Sequence, residues 1–337
     1  MTSKIVCYGC RDYEKESFEK LGKMYGYHLV LKSEFLTNDN VQDAFGYENI
    51  MIRGNCFLDG DSLRLLKEHG LKYLLTRTVG FNHIDLATAQ AIGLEVANVP
   101  SYSPNAVAEL AVTFAMMLLR NVSYATLQCA NADFRVTSKM FSKEIRSCTV
   151  GIIGCGRIGR TTASLFKALG ANVVGYDVNQ NLKSDANIKY VDIDELLSVS
   201  DIISCHIPYI KNVNDNFINK DMIGKMKNGT ILINTSRGEI LDLKSAVDAV
   251  KNNKLGGLAV DVISNELDLF FKVWHKEDLK DTLYGEMIEL YPQVLITPHI
   301  GSSTQNALND MIEISLQNLK EYQEKGFCSN SLLNHSK

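Results

Sequence analysis

Four short polar sets interrupt the apolar runs in the second half of this 337-residue chain: His206-Ile207-Pro208, Thr235-Ser236-Arg237-Gly238, Asp261 through Glu266, and Pro298-His299-Ile300-Gly301. Each closes a strand-like segment. In an open α/β sheet, ligands bind outside the carboxyl ends of the strands, so the four sets are candidates for one site. A guanidinium can hold a carboxylate through two parallel bonds. An imidazole can take a hydroxyl proton as hydride leaves, and a nearby carboxylate orients that imidazole. Arg237, Glu266 and His299 together therefore suggest hydride chemistry on a hydroxy acid. Taken singly each has a plainer reading: a structural or solvated histidine, a surface ion-pair arginine, a loop glutamate. His206 reads as a wall of a cofactor site and not as a base.

Hydride chemistry needs a carrier, and the stretch from Thr149 to Asp177 is built to bind one. A short apolar run, Thr149–Ile153, leads into Gly154-Cys155-Gly156-Arg157-Ile158-Gly159. A segment of helical periodicity, a second apolar run and Asp177 follow. The strand, glycine loop, helix, strand and terminal acid form the context that makes such a loop a dinucleotide site. Gly154 permits the tight turn, Gly156 lets a pyrophosphate approach the backbone, and Gly159 lets the helix pack close to the sheet. Free N–H groups near Arg157 and Ile158 favour phosphate charge. Asp177 is placed for the adenosine ribose hydroxyls, and Val178-Asn179-Gln180-Asn181 offers no cation for a 2′-phosphate. The cofactor expected is NAD(H), not NADP(H). His206, Pro208, Thr235, Ser236, Arg237, Asp261 and His299 complete the candidate cofactor contacts. The alternative is an ordinary βαβ unit whose glycines serve packing alone.

Composition bounds the rest. A hydrophobic fraction of 45% and a charged fraction of 22% are ordinary for a globular protein. A net charge of −4 carries no nucleic-acid or anionic-membrane footprint. Lys4 leads straight into a strand-like run, so no signal peptide is expected. The longest apolar stretch, Ala106–Leu119, is interrupted by Glu109 and too short to span a bilayer. Eight cysteines are scattered without zinc spacing. Cys7 and Cys10 stand as C-x-x-C, a possible redox pair or half a metal site that no second pair answers. No metal is expected, and a reducing, cytoplasmic setting fits best.

These residues must be positioned by alternating strands and helices. Lys4–Gly9, His28–Leu31, Glu48–Arg53, Leu71–Arg77 and Leu94–Asn98 read as strands. Asp12–Gly22, Ser62–Glu68 and Ala87–Ala91 read as helices between them. A helix over Asn105–Arg120, apolar on nearly all sides, must be buried between domains or subunits. The alternation resumes at Thr149, with strands over Asp201–His206, Thr230–Thr235, Leu258–Val262 and Val294–Thr297. Helices are expected over Lys220–Lys227 and Leu243–Asn252, and Thr304–Lys325 is a long amphipathic helix that could return to the first unit. The fold class expected is α/β, two doubly wound parallel-sheet (Rossmann-like) domains with an interdomain cleft.

Over nearly its whole length the chain resembles the D-isomer-specific 2-hydroxyacid dehydrogenase family. The resemblance is carried by the glycine loop 154–159, Ile233-Asn234-Thr235-Ser236-Arg237-Gly238, Gly256-Gly257-Leu258-Ala259-Val260-Asp261-Val262 and Thr297-Pro298-His299-Ile300-Gly301. It implies a substrate domain of residues 1–101 completed by 300–337, with an NAD-binding domain of residues 102–299 inserted between. It implies Arg237 as the group that binds and polarises the 2-oxo acid, His299 as acid/base and Glu266 as its partner. Backbone N–H groups around Val79-Gly80 would hold the substrate carboxylate, with Thr78 among the substrate contacts, and Tyr102 with the aromatic 267–290 segment could wall a pocket for a branched or aromatic side chain. A homodimer through the 106–119 helix is also implied.

Within the family, Pro100-Ser101-Tyr102-Ser103-Pro104-Asn105-Ala106 and the aromatic segment with Phe270, Phe271 and Trp274 look like the D-lactate and D-2-hydroxyisocaproate branch. Ile52-Arg53-Gly54-Asn55-Cys56-Phe57 with Thr76-Arg77-Thr78 is most similar to (R)-2-hydroxyglutarate dehydrogenase of amino-acid-fermenting anaerobes. One departure stands out: Gly301-Ser302-Ser303 follows the histidine where D-lactate enzymes tend to carry bulky aromatics. Arg53 is either a solvated strand-end cation or a group that meets a distal substrate carboxylate or supports the loop holding the proximal one. The activity expected is NADH-dependent reduction of a 2-oxo acid to the (R)-2-hydroxy acid, of 2-hydroxyglutarate, 2-hydroxyisocaproate or lactate type. The rival is an NAD-sensing scaffold or corepressor on the same fold.

Overall fold

A computed structural model describes residues 3–179 and 185–333 of the chain. It divides into two compact units, residues 1–103 with 303–337 and residues 104–302.

The first unit is built on five parallel strands: β1 (Lys4–Cys7), β2 (His28–Leu31), β3 (Asn49–Ile52), β4 (Tyr73–Thr76) and β5 (Glu95–Ala97). Their order is β2-β1-β3-β4-β5, so the chain reverses its direction of winding between β1 and β3. β3 is buried along its whole length, as a strand covered on both faces must be. Helix α1 (Lys15–Tyr25) and the C-terminal helix cover one face, and α2 (Gly60–Glu68) and α3 (Leu86–Ala91) lie on the other. The helix expected over Asp12–Gly22 is instead a 3₁₀ turn, Asp12–Glu14, followed by α1, which runs on to a left-handed Gly26. Asp59 and Asp85 cap α2 and α3 by accepting from the Ser62 and Thr88 N–H groups, which fixes where each helix starts.

The second unit opens with α4 (Pro104–Leu119) and α5 (Val122–Ala130), the latter unforeseen. Seven parallel strands follow: β6 (Thr149–Ile153), β7 (Asn172–Tyr176), β8 (Lys189–Tyr190), β9 (Ile202–Cys205), β10 (Thr230–Asn234), β11 (Leu255–Val260) and β12 (Val294–Ile296). Interleaved are α6 (Arg157–Ala168), α7 (Ile193–Val199), α8 (Lys220–Lys225), α9 (Leu243–Lys251) and three short helices, α10 (Glu266–Leu269), α11 (Lys276–Leu279) and α12 (Leu283–Glu289). Strand order is β12-β11-β10-β9-β6-β7-β8, which puts the switch point between β6 and β9. β11 starts at Leu255, earlier than expected, and runs through Gly256-Gly257. A Cβ at Gly256 would lie 2.5 Å from the Gly229 carbonyl oxygen, so the pair marks close backbone approach and not a loop.

Helix α4 packs Ala111, Phe114, Ala115 and Leu118 against Ile152, Ala163 and Phe166. It is not buried all round: Glu109 and Thr113 are exposed, and Leu110, Val112, Met116 and Met117 are half-buried. Phe270 is buried in the core of this unit with Met287, whereas Phe271 and Trp274 stay partly exposed. The chain closes with α13 (Gln305–Lys325), which seats Leu308, Ile312, Leu316, Leu319 and Tyr322 on the first sheet with Ile5, Cys7 and Leu75. Among the described residues, no single helix is long and apolar enough to cross a membrane.

Candidate active site

The loop after β6 occupies the switch point of the second sheet. Gly154 has φ +90°, and a Cβ there would lie 2.8 Å from the His206 carbonyl carbon, so the turn and the neighbouring β9 end both demand glycine. A Cβ on Gly159 would lie 2.0 Å from the Gly154 carbonyl oxygen, which locks α6 against the strand. In front of Gly156 there is nothing within 4 Å among the described residues. That opening lies at the N-terminus of α6, where Gly156 supplies no side-chain cap, leaving helix N–H groups and the dipole for an anion. Arg157 is exposed and Ile158 half-buried on the first turn. Asp177, just past β7, accepts from the Cys155 N–H at 2.7 Å and from the Asn179 N–H at 2.8 Å. Its carboxylate is thereby fixed beside the glycine loop. Gln180 and Asn181 lie outside the described residues.

On the other wall, His206 donates its backbone N–H to Ile153, and its Nε2 lies 2.8 Å from the Ser204 hydroxyl. Burial pulls the imidazole down to about 4, so it is neutral at physiological pH. Pro208 is exposed on the following loop. The loop after β10 carries Thr235, whose hydroxyl is buried with no partner among the described residues. A buried unsatisfied hydroxyl is costly, so this one calls for a ligand group. Ser236 donates its hydroxyl to Asn234 Oδ1 at 2.7 Å.

Arg237 follows in extended conformation, with Nη1 donating to the Ser236 carbonyl at 2.7 Å. Asn234 staples the turn: Oδ1 accepts from the Ser236 N–H and Nδ2 donates to the Arg237 carbonyl. Gly238 then brings this loop against the one after β11, since a Cβ there would lie 1.9 Å from the Ile263 carbonyl carbon. Glu266 begins α10 behind a left-handed Asn265. His299 stands beyond β12 with φ +54°, a strained region for a residue other than glycine. Its Nδ1 lies 2.8 Å from Glu266 Oε2, with 39% of the imidazole and 22% of the carboxylate exposed. An ionised carboxylate only accepts, so Nδ1 carries the hydrogen and Nε2 is left for other work.

What holds that strained turn is Asp261. Its Oδ1 accepts from the Thr297 hydroxyl and the Ile300 N–H, and its Oδ2 accepts from the Gly301 N–H. Its backbone carbonyl accepts from the His299 N–H at 2.9 Å. Burial raises the Asp261 carboxyl, opposed by these donors. The candidate cofactor contact is thus also the clamp of the histidine loop.

In the first unit, Thr78 donates its hydroxyl to the Gly80 carbonyl at 2.7 Å, and Asn98 donates to the Val79 carbonyl at 2.8 Å. With the carbonyls fixed, no described residue accepts from the N–H groups of Val79 and Gly80. Tyr102 is half-buried between β5 and α4. Arg53, past β3, has its Nη1 3.5 Å from Glu14 Oε1. Glu14 also takes two bonds from Arg77, at 3.2 and 3.1 Å. Sequence reasoning missed Glu14, Asn98 and Asn234. Asn234 lies inside a quoted motif and was readable as a strand-end turn former. Glu14 sits in a charged run whose partner is 63 residues away, and nothing local signals it. Cys7 and Cys10 are both buried, and burial raises Cys7 and pushes Cys10 up to about 11. Neither is a thiolate near neutral pH.

Residues 112–301 match a family profile described as D-isomer specific 2-hydroxyacid dehydrogenase, NAD binding domain. The chain is 36% identical over 328 residues to an aromatic 2-oxoacid reductase of Clostridium sporogenes, covering 97% of this chain and 98% of that one. It is 36% identical over 325 residues to a D-lactate dehydrogenase of Lactiplantibacillus plantarum, covering 96% and 97%. Among solved structures, a D-2-hydroxyisocaproate dehydrogenase is similar with TM-score 0.89 and 32% identity, covering 98% of this chain and 100% of that one.

Proposed function

The chain belongs to the D-isomer specific 2-hydroxyacid dehydrogenase family, an NAD-dependent oxidoreductase family, and from that premise we propose that it reduces a 2-oxo acid to the (R)-2-hydroxy acid. The observation that carries this reading is the hydrogen bond between His299 and Glu266 on a loop system that also presents Arg237. NADH supplies the hydride when bound in the second unit. Gly154, Gly156 and Gly159 shape its pyrophosphate seat, and Asp177 accepts from the ribose hydroxyls. The Thr235 hydroxyl, otherwise unpartnered, takes a bond from or to the cofactor.

Arg237 binds the 2-oxo acid and polarises its carbonyl. His299 gives a proton from Nε2 to the carbonyl oxygen as hydride arrives, and Glu266 offsets the charge changes on the ring. The unengaged N–H groups of Val79 and Gly80 hold the substrate carboxylate. On this reading residues 1–101 and 300–337 act as the substrate domain and 102–299 as the cofactor domain. We also read the enzyme as a homodimer of the cytoplasm: eight cysteines are all free, as a reducing compartment keeps them.

The test is to mix protein and NADH with a panel of 2-oxo acids, from pyruvate through 2-oxoisocaproate and phenylpyruvate to 2-oxoglutarate, and follow nicotinamide absorbance. Turnover of at least one supports the reading and ranks the substrates. No turnover of any, with NADH bound, would favour a sensor or scaffold.

A further inference from the structure

In the loop after β4, successive carbonyls are each held from inside the first unit. That of Thr78 accepts from the Val99 N–H at 3.1 Å, that of Val79 from Asn98 Nδ2 at 2.8 Å, and that of Gly80 from the Thr78 hydroxyl at 2.7 Å. A trans peptide is planar, with its C=O and N–H pointing opposite ways. Each held carbonyl therefore aims the next N–H away from its partner. The N–H groups so aimed are those of Val79, Gly80 and Phe81, and no described residue accepts from them.

The bond to Gly80 does not stand alone. The Thr78 hydroxyl lies 2.8 Å from the hydroxyl of Thr76, which lies 3.0 Å from Nε2 of His83. Thr76 and His83 are both buried. The direction of every bond follows from the far end. A carbonyl only accepts, so the one hydroxyl hydrogen of Thr78 goes to Gly80. Thr78 must then accept from Thr76, and Thr76, its own hydrogen engaged, must accept from His83. Burial pulls the imidazole down to about 4, so near neutral pH it carries a single ring hydrogen. The chain places that hydrogen on Nε2.

We propose that His83 and Thr76 are positioning residues: through Thr78 they fix the Gly80–Phe81 peptide and, with Asn98 on the peptide before it, hold the loop's N–H groups ready for a carboxylate. A donor already aimed needs no ordering when its ligand arrives. The group recognised is the carboxylate common to all 2-oxo acids, so the chain sets affinity for that end of the substrate whatever its side chain. This inference rests on the reading above that the Val79–Gly80 loop holds the substrate carboxylate.

The test reads two quantities: KM for the 2-oxo acid that the wild type reduces best, and the calorimetric affinity of the NADH-loaded protein for oxamate, a carboxylate without a side chain. Thr76→Val keeps the shape and removes the hydroxyl, and Thr76→Ser restores it. In Thr76→Val, KM should rise and oxamate affinity fall by the same factor, on the order of tenfold, the scale of one bond to a charged group. Its kcat and NADH affinity should stay near wild type, the signature of lost ground-state binding. Thr76→Ser should return both quantities to wild type. His83→Leu should behave as Thr76→Val, and His83→Gln, whose amide can still donate, as Thr76→Ser. Nitrogen NMR of histidine-labelled wild type should find the ring hydrogen of His83 on Nε2.

A merely structural role would lower the melting temperature of Thr76→Val and leave KM and oxamate affinity unmoved, and that result overturns the proposal. If Thr76→Val does not fold, the two His83 variants and the tautomer still decide: a hydrogen on Nδ1, or equal kinetics in His83→Leu and His83→Gln, breaks the chain. A wild type that reduces 2-oxo acids but shows either result sinks this inference alone. A wild type that binds no oxamate and reduces no 2-oxo acid sinks the reading on which it rests.

Discussion

The Nδ1 atom of His299 lies 2.8 Å from Oε2 of Glu266, across a turn that Asp261 holds through three donors. The strained backbone at His299 and the engaged Nδ1 point to a residue held in one orientation with its Nε2 left open. His299→Gln should therefore lose turnover without losing the fold. General acid–base catalysis is worth about 10²–10⁴-fold, and kcat should fall within that range while calorimetry finds NADH binding intact. Near-normal turnover of the variant would remove His299 from the mechanism.

Asp177 tests the choice of cofactor. Its carboxylate is fixed by two backbone N–H groups at the rim of the glycine loop. Asp177→Ala should weaken NADH and relax the discrimination against NADPH, because an anionic acceptor that repels a 2′-phosphate is lost. The expected change is on the order of ten- to a hundredfold in the ratio of the two kcat/KM values, from bonds to a charged group worth roughly 1.5–3 kcal/mol. A wild type that already uses both cofactors equally would contradict this role.

Gly238 sets how closely the arginine loop approaches the glutamate loop. Its absent Cβ would sit 1.9 Å from the backbone of Ile263, and backbone cannot swing aside as a side chain can. Gly238→Ala should push the Arg237 loop away. A displacement of about 1 Å can cost roughly 10²-fold in rate, so kcat/KM for 2-oxo acids should fall steeply while NADH affinity changes less. Unchanged kinetics in a folded variant would mean that the two loops tolerate separation.

The alternation of strands and helices was legible because both sheets are parallel and buried, so their strands read as apolar runs between turn residues. The glycine loop, Asp177, Arg237, Glu266 and His299 were legible because they close those runs. What was not legible is what one segment does to a distant one. Glu14 looks like part of a solvated charged run, and only the fold delivers Arg77 to it. Asp261 stands at a strand end as a cofactor contact would, yet its oxygens brace the turn 36 to 40 residues on. The stretch 267–290 holds α10, α11 and α12, which are one or two turns long and too short for a periodic repeat to register. The glycines at 256–257 stand inside β11, where its backbone crowds Gly229, and nothing in their type announces a strand.

The imidazoles of His83, buried, and His206, half-buried, predict a stability that falls in acid. Burial pulls both His83 and His206 from 6.5 down to about 4, and each ring nitrogen Nε2 faces a hydroxyl, of Thr76 and Ser204 respectively. Between those two values the unfolded chain binds protons that the folded one does not. Stability therefore rises with pH across that window: the contribution is whole above 6.5 and lost as pH falls toward 4. Each is worth on the order of 1–3 kcal/mol. Denaturant unfolding of the wild type at pH 7 and pH 5 should show the loss, and His83→Gln should flatten it. Equal stability at both values would contradict the neutral burial of these rings.

Helix α4 and the segment after it carry the last prediction, which concerns assembly. Leu110 with Met117, and Val112 with Met116, are half-buried along the two edges of a helix whose face between them is packed on α6. Nearby in sequence, Phe134 is 76% exposed and Val136 and Phe141 are each 82% exposed. Scattered exposed hydrophobics are ordinary, but so many large ones in a stretch this short are what a surface that meets another protein is expected to carry. A second copy of the chain is the partner that a symmetric contact between two such helices would select. Light scattering at micromolar concentration should give twice the mass of one chain. Val112→Glu combined with Met116→Glu should shift that mass toward the monomer and leave the circular dichroism spectrum unchanged. A wild type that scatters as a monomer at that concentration would exclude the homodimer.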